Sequence, residues 1–309
     1  MKHFINLKDI PAPDLRKIVE DAKKRKIKRK RLNTLDVDKD NPLKGKLLIQ
    51  MFEKASLRTR LSFYLAITQL GGGALTLRAD ELHLAKGGES IEDTAKILST
   101  YGNGFMLRSD NDEKLIKFSK YLTIPIINGL SPSSHPTQVL SDIFTVEEIK
   151  KKPISKLNIC WIGDSNNVLN SLIAASVKFS FNLSIGCPKN YEPKKIIMEW
   201  VKSNKRKIHV FNDAKKAVKN ADIIFSDKVI SLNDRVNKTK KIKDFLSFQI
   251  NSKLMSYAKK DVTFLHCLPR GSEVSDEVFL GKNSKVWLQA LNRVHVQKSI
   301  LLYCFGKLR

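Results

Sequence analysis

The stretch Phe52–Phe63, FEKASLRTRLSF, decides how the chain is read. The apolar run before it, Leu47–Phe52, has the length of a buried strand. It then breaks abruptly into Ser56, Arg58, Thr59 and Arg60. Apolar residues return afterwards at helical spacing. A strand end that feeds a helix start leaves backbone N–H groups unpaired at the positive end of the helix dipole, a setting that favours a phosphate. Ser56 and Thr59 add hydroxyl donors, and Arg58 adds a planar fork that matches phosphate oxygens. The plainer alternative is that Ser56 caps the helix and the arginines face water. Neither G-x-G-x-x-G nor G-x-x-x-x-G-K-[ST] occurs, so the common nucleotide loops are absent.

The same alternation extends outward. Ala74–Leu77, Gly104–Leu107 and Ile124–Asn128 read as further strands, and helical stretches begin near Ser56, Ser90, Glu113 and His135. Ser90 with Asp93 resembles a capping box, and Gly71-Gly72-Gly73 stops the helix that follows the opening motif. The polar, Pro153-containing segment Glu147–Lys156 reads as a linker. Alternation then restarts, with strands expected at Leu157–Ile162, Asn182–Gly186, Lys207–Phe211, Asp222–Phe225 and Val262–His266, and a last helix at about Leu291–Phe305. Repeated βα units imply parallel sheets covered by helices on both faces. The expected fold class is therefore α/β, with two doubly wound parallel-sheet domains over 1–150 and 151–309. Ligands of such sheets sit beyond the carboxyl ends of the strands.

The chain's 309 residues suit two domains better than one core. A composition that is 42% hydrophobic and 28% charged fits a globular protein. No apolar run approaches the roughly 20 residues of a membrane span. The N-terminus lacks the apolar centre of an export signal, which points to the cytoplasm. Cys160, Cys187, Cys267 and Cys304 lie far apart, so neither a zinc site nor a disulfide framework is expected. The net charge of +25 is densest at Lys23–Arg31, KKRKIKRKR. There it continues an amphipathic helix in which Leu15, Ile18, Val19 and Ala22 share a face. A solvated face explains the cluster better than nucleic acid does, because no aromatic-basic module accompanies it.

Other polar residues stand just beyond strands. Arg108 follows FML, and His135-Pro136 precedes a helix whose first turn holds Gln138. Histidine can donate to a carbonyl or phosphate oxygen, and glutamine can both accept and donate. Gly163-Asp164 ends one strand of the second half, with Asn166 and Asn167 opening the next helix. Asp227 and Ser231 lie past another strand, and Cys267 past a third. Asp227 is a natural partner for a substrate ammonium. Arg293 opens the last helix.

Taken together, these segments resemble the aspartate/ornithine carbamoyltransferase family over nearly the whole chain. FEKASLRTRLSF resembles its Phe-x-x-x-Ser-Thr-Arg-Thr-Arg signature, HPTQ its His-Pro-x-Gln, and HCLP the His-Cys-Leu-Pro of the ornithine branch. The resemblance implies that 1–150 binds carbamoyl phosphate and that 151–309 binds ornithine, with the segment from about 291 returning to the first domain. Ser56, Leu57, Arg58 and Thr59 would grip the phosphate, with Arg108 as a second cationic contact. His135 and Arg293 would polarise the carbonyl oxygen, and Gln138 would hold the amide. The backbone carbonyls of Cys267 and Leu268 would accept from the carbamoyl NH₂, and the Cys267 side chain would lie near the reacting amine. Asn167, Asp227, Ser231 and Leu232 would hold the amino-acid end of ornithine.

The reaction so implied moves a carbamoyl group to the δ-amine of ornithine without a metal or organic cofactor. Its partners are two small molecules and other copies of the chain, in a trimer or a multiple of trimers with shared sites, and neither nucleic acid nor a membrane. The sequence departs from the family pattern at Leu57 (usually Thr), Leu232-Asn233 (usually Met-Gly) and Leu291 (usually Glu). The HLAKGGES loop carries His83 where many relatives have Gln. A sister enzyme acting on putrescine or an N-acylated ornithine is the alternative.

Overall fold

Strand β1 (Leu47–Phe52) is buried along almost its whole length, and the chain leaves it through the opening motif into a helix. In the computed structural model, which describes residues 1–78, 88–230 and 237–308, the chain divides into two units. One unit is Met1–Phe144 together with Leu291–Arg309, and the other is Thr145–Ala290.

The first unit begins with α1 (Ala12–Lys28) and continues after β1 with α2 (Arg58–Gln69), β2 (Gly73–Arg78), α3 (Ile91–Tyr101), β3 (Gly104–Arg108), α4 (Asp112–Tyr121), β4 (Ile126–Leu130) and α5 (Pro136–Lys150). Its four strands are all parallel, in the order β2-β1-β3-β4. The chain winds outward from β1 to β2 and then crosses to β3, so the switch point lies between β1 and β3. The second unit holds β5 (Asn158–Ile162), α6 (Asn167–Phe179), β6 (Asn182–Gly186), α7 (Lys195–Ser203), β7 (His209–Phe211), α8 (Ala214–Val218), β8 (Ile223–Ser226), α9 (Lys238–Phe245), α10 (Ser252–Met255), β9 (Thr263–His266) and α11 (Asp276–Leu280). Its parallel order is β7-β6-β5-β8-β9, with a switch point between β5 and β8. The last helix, α12 (Val286–Cys304), and α5 each contain one of the unit boundaries.

Each unit has its own core. Ile49, Met51, Leu98, Phe105, Leu107 and Phe118 cluster in the first, where the Phe105 and Phe118 rings lie 5.3 Å apart. Cys160, Ile162, Ile224, Phe245, Phe264 and Phe279 cluster in the second. Each large apolar side chain so buried contributes about 1.5–3 kcal/mol. The end of α12 packs into the first unit, where the Phe305 ring lies against Gly104 at a distance that no Cβ there could tolerate.

Several expected boundaries move, for identifiable reasons. The strand expected at Ile124–Asn128 is Ile126–Leu130, because Pro125 has no N–H and leaves only its carbonyl to accept from Phe105. The start of the expected linker is helix: α5 runs on through Glu147 and Glu148 to Lys150 before Pro153 ends it. The last helix starts at Val286, so Arg293 lies about two turns inside it and does not open it. Ser56 is not the cap of α2. Leu57 holds that position with no side-chain cap bond. Ser90 does cap α3, accepting from the Asp93 N–H at 3.0 Å while its hydroxyl donates to the Asp93 carboxylate at 2.7 Å.

The basic cluster is not uniformly solvated. Arg25 turns inward to Asp21 (3.0 Å), Asp38 (3.1 Å) and Asp40 (2.8 Å), and Arg29 reaches Asp38 at 2.8 Å. Lys23, Lys24, Lys28, Lys30 and Arg31 are exposed.

Candidate active site

At the switch point of the first sheet, the residues after β1 meet the last residue of β3. Arg108 Nη1 donates to Ser56 Oγ at 3.2 Å, closing the gap between the two strand ends. Glu53 braces this corner, accepting from Ser109 Oγ and the Asp110 N–H at 2.8 Å each and pairing with Lys114 at 2.6 Å. Thr59, in the first turn of α2, is buried and accepts from Arg293 Nη2 at 2.7 Å. The other arm of the same guanidinium, Nη1, donates to Gln138 Oε1 at 2.9 Å. Three segments far apart in the sequence are thus drawn to one place.

His135 belongs to the same group. Burial holds its imidazole well below its ordinary pKa, and the positive charges of Arg293, Arg108 and Arg58 push the same way. Arg108 is likewise lowered, first by burial and then by Arg58. Arg58, Arg108 and Arg293 thus act electrostatically on His135. The contacts of Arg108 with Ser56 and of Arg293 with Thr59 and Gln138 join these residues into one cationic cluster of the first unit. Leu57 is 70% exposed at the α2 start and supplies only backbone.

The switch point of the second sheet is built the same way. Asn166 caps α6, its Oδ1 accepting from the Val168 and Leu169 N–H groups at 3.0 Å each, while its Nδ2 donates to Asp227 Oδ2 at 2.8 Å. Asn167 begins the helix and Asp227 follows β8. Burial raises the Asp227 pKa, opposed by His266 and by the backbone at Lys228. Past β9, Cys267 is partly buried and Leu268 takes a left-handed backbone, φ 58°. Leu268 N–H donates to His266 Nδ1 at 2.9 Å, which leaves Nε2 to donate to Glu273 Oε1 at 3.1 Å. Glu273 stays below its ordinary pKa although burial opposes this, because His266 and the Gly271 N–H donate to it. Ser231, Leu232, Asn233 and His83 lie outside the described residues.

Sequence reasoning did not single out Glu53, His266, Glu273 or Asp142, which accepts from Gln138 Nε2 at 2.9 Å. Only their place beside strand ends or motif residues could have flagged them, because their partners are set by the fold.

Comparison with known proteins gives the same picture over the full length. The carbamoyl-P binding domain of the aspartate/ornithine carbamoyltransferases matches residues 2–148, and the Asp/Orn binding domain matches residues 155–304. An ornithine carbamoyltransferase of Brucella abortus is 41% identical over 306 residues, covering 98% of this chain and 96% of that protein. The ornithine carbamoyltransferase of Pyrococcus furiosus superposes with a TM-score of 0.91 at 38% identity, covering 99% of this chain and 97% of that one. The anabolic enzyme of Campylobacter jejuni does so at 0.89 and 38%, covering 99% and 100%. Two parallel sheets, each with a polar cluster at its switch point, define a two-domain α/β protein, a class whose ligands sit beyond the strand ends. The chain belongs to the aspartate/ornithine carbamoyltransferase family.

Proposed function

We propose that the chain transfers the carbamoyl group of carbamoyl phosphate to the δ-amine of L-ornithine, giving L-citrulline and inorganic phosphate. The observation that carries this is the cationic cluster that Arg58, Arg108, His135 and Arg293 form with Ser56 and Thr59. The first unit binds carbamoyl phosphate: Ser56, Leu57, Arg58, Thr59 and Arg108 hold its phosphate. His135 and Arg293 donate to the carbonyl oxygen, and Gln138 and the Cys267 and Leu268 carbonyls take the NH₂. The second unit holds ornithine through Asn167, Asp227, Ser231 and Leu232, with Cys267 near the reacting amine.

The neutral amine attacks the carbamoyl carbon and a C–N bond forms. The carbonyl oxygen becomes negative, then re-forms its double bond as the carbon–oxygen bond to phosphate breaks, and the departing phosphate takes the proton that the nitrogen gives up. Arg293 and His135 face the developing charge, and one such donor is worth about 3–4 kcal/mol. A neutral His135 donates without adding a further cation to the crowd. Holding two small substrates in line can remove up to roughly 7–11 kcal/mol of the barrier.

A place in arginine biosynthesis, in the cytoplasm, fits this chemistry. So does a homotrimer or a multiple of trimers with shared sites: α2 exposes Leu61 and Tyr64, Leu57 is exposed just before it, and α3 exposes Ile97 and Tyr101, apolar side chains that a second copy would cover. An amine panel tests the reading. Ornithine should be carbamoylated far faster than putrescine, N-acetylornithine or aspartate. Preference for any of the others would overturn it.

A further inference from the structure

We propose that Asp142 is a positioning residue that makes this site select a carbamoyl group over an acetyl group. The inference rests on the reading of Gln138 given above. Gln138 and Asp142 lie one turn apart on α5, each 1% exposed. Gln138 Nε2 donates to Asp142 Oδ1 at 2.9 Å, while its Oε1 accepts from Arg293 Nη1 at 2.9 Å.

The two ends of a glutamine amide look alike in shape and differ in chemistry. A carboxylate only accepts and a guanidinium only donates. Turned end for end, the amide would set its oxygen against Asp142 and its NH₂ against Arg293. Both contacts would repel in a water-poor setting. Asp142 therefore fixes which end of Gln138 faces the crevice. The end turned to Arg293 is an oxygen with one lone pair still to offer.

Carbamoyl and acetyl phosphate share the phosphate and the carbonyl, and differ in NH₂ against CH₃. An acceptor held in place rewards the NH₂ and leaves the CH₃ facing an unpaired polar atom. An amide free to turn would present donors half the time and lose that distinction. Arg293 alone cannot keep the orientation while it also donates to the substrate oxygen. Asp142 holds the amide from the side away from the reaction.

The test is equilibrium binding of fresh carbamoyl phosphate and of acetyl phosphate, measured by calorimetry on the full chain. In Asp142→Ala, carbamoyl phosphate should weaken by about 10–30-fold and acetyl phosphate by less than about threefold. Asp142→Asn, whose carbonyl still accepts from Gln138, should keep both within about threefold. Parallel weakening of the two ligands, or no change in either, would overturn the assignment.

If Asp142→Ala does not fold, the exchanged pair decides. Gln138→Glu alone sets carboxylate against carboxylate, and adding Asp142→Asn supplies a donor to it. In the single variant the repulsion turns the new carboxylate away from the carbamoyl nitrogen. The double variant, which restores its place, should regain at least about fivefold preference for carbamoyl over acetyl phosphate relative to Gln138→Glu. Failure to regain it sinks the idea. Selective loss of carbamoyl-phosphate binding in a protein that makes no citrulline would refute the ornithine reading and uphold Asp142.

Discussion

Thr59 and Arg293 are 234 residues apart and meet at 2.7 Å, both almost wholly buried. Removing the hydroxyl leaves a guanidinium N–H without its acceptor, which costs about 1–3 kcal/mol. Thr59→Val, which keeps the shape, should lower kcat/KM for carbamoyl phosphate by about 10–100-fold in steady-state assays. An unchanged rate would mean that the contact does nothing for the site. That Ser56, Arg58 and Thr59 gather at one strand-to-helix corner was legible, because strand, hydroxyls and helix start fall within one short stretch. The contacts to Arg293 and Asp142 were not, because no local pattern specifies a partner across the fold.

Asp38 fixes α12 to the rest of the first unit. It accepts from Arg25 (3.1 Å), Arg29 (2.8 Å) and Lys298 (2.6 Å), and Lys298 is fully buried. Burial lowers the Lys298 ammonium to about 8 although Asp38 supports it. The two ends of the pair are therefore unequal. Asp38→Ala strands several buried cations and should cost about 3–5 kcal/mol in urea denaturation. Lys298→Met leaves Asp38 with both arginines and should cost less than about 2 kcal/mol. Equal costs would show that Lys298 is the sole effective partner. At this scale the strands were readable from short apolar runs, whereas α12 was read five residues short. Trp287 and Leu291 are 65% and 55% exposed, and apolar residues on the wet face blur the helical period.

Two buried histidines give the whole molecule an acid sensitivity. Burial, with Lys26, Lys298 and Arg29 nearby and Asp38 opposing, takes His295 down to about 3, and His135 is also lowered. Both are neutral when folded and protonate near pH 6.5 when unfolded, so unfolding takes up protons below that pH. Stability should fall with pH from about 6.5 downward, by up to about 1.4 kcal/mol per histidine per pH unit. For His295 the window extends to about 3. Urea titrations at pH 7 and pH 5 measure the slope, and His295→Gln should remove part of it. A variant slope equal to the parent's would contradict the prediction. The architecture was legible because βα alternation runs through both halves. The composition, with its net charge of +25, said little, because partners such as Asp38 fold part of that charge inward.

Carbamoyl transfer through one cationic crevice is tested most directly by following citrulline and phosphate together in a single reaction of carbamoyl phosphate with ornithine. The two products should appear in equal amounts, and Arg293→Gln should slow both by roughly 100–1000-fold. Phosphate released without citrulline by the folded parent protein, or an Arg293→Gln variant that works at the parental rate, would contradict the account.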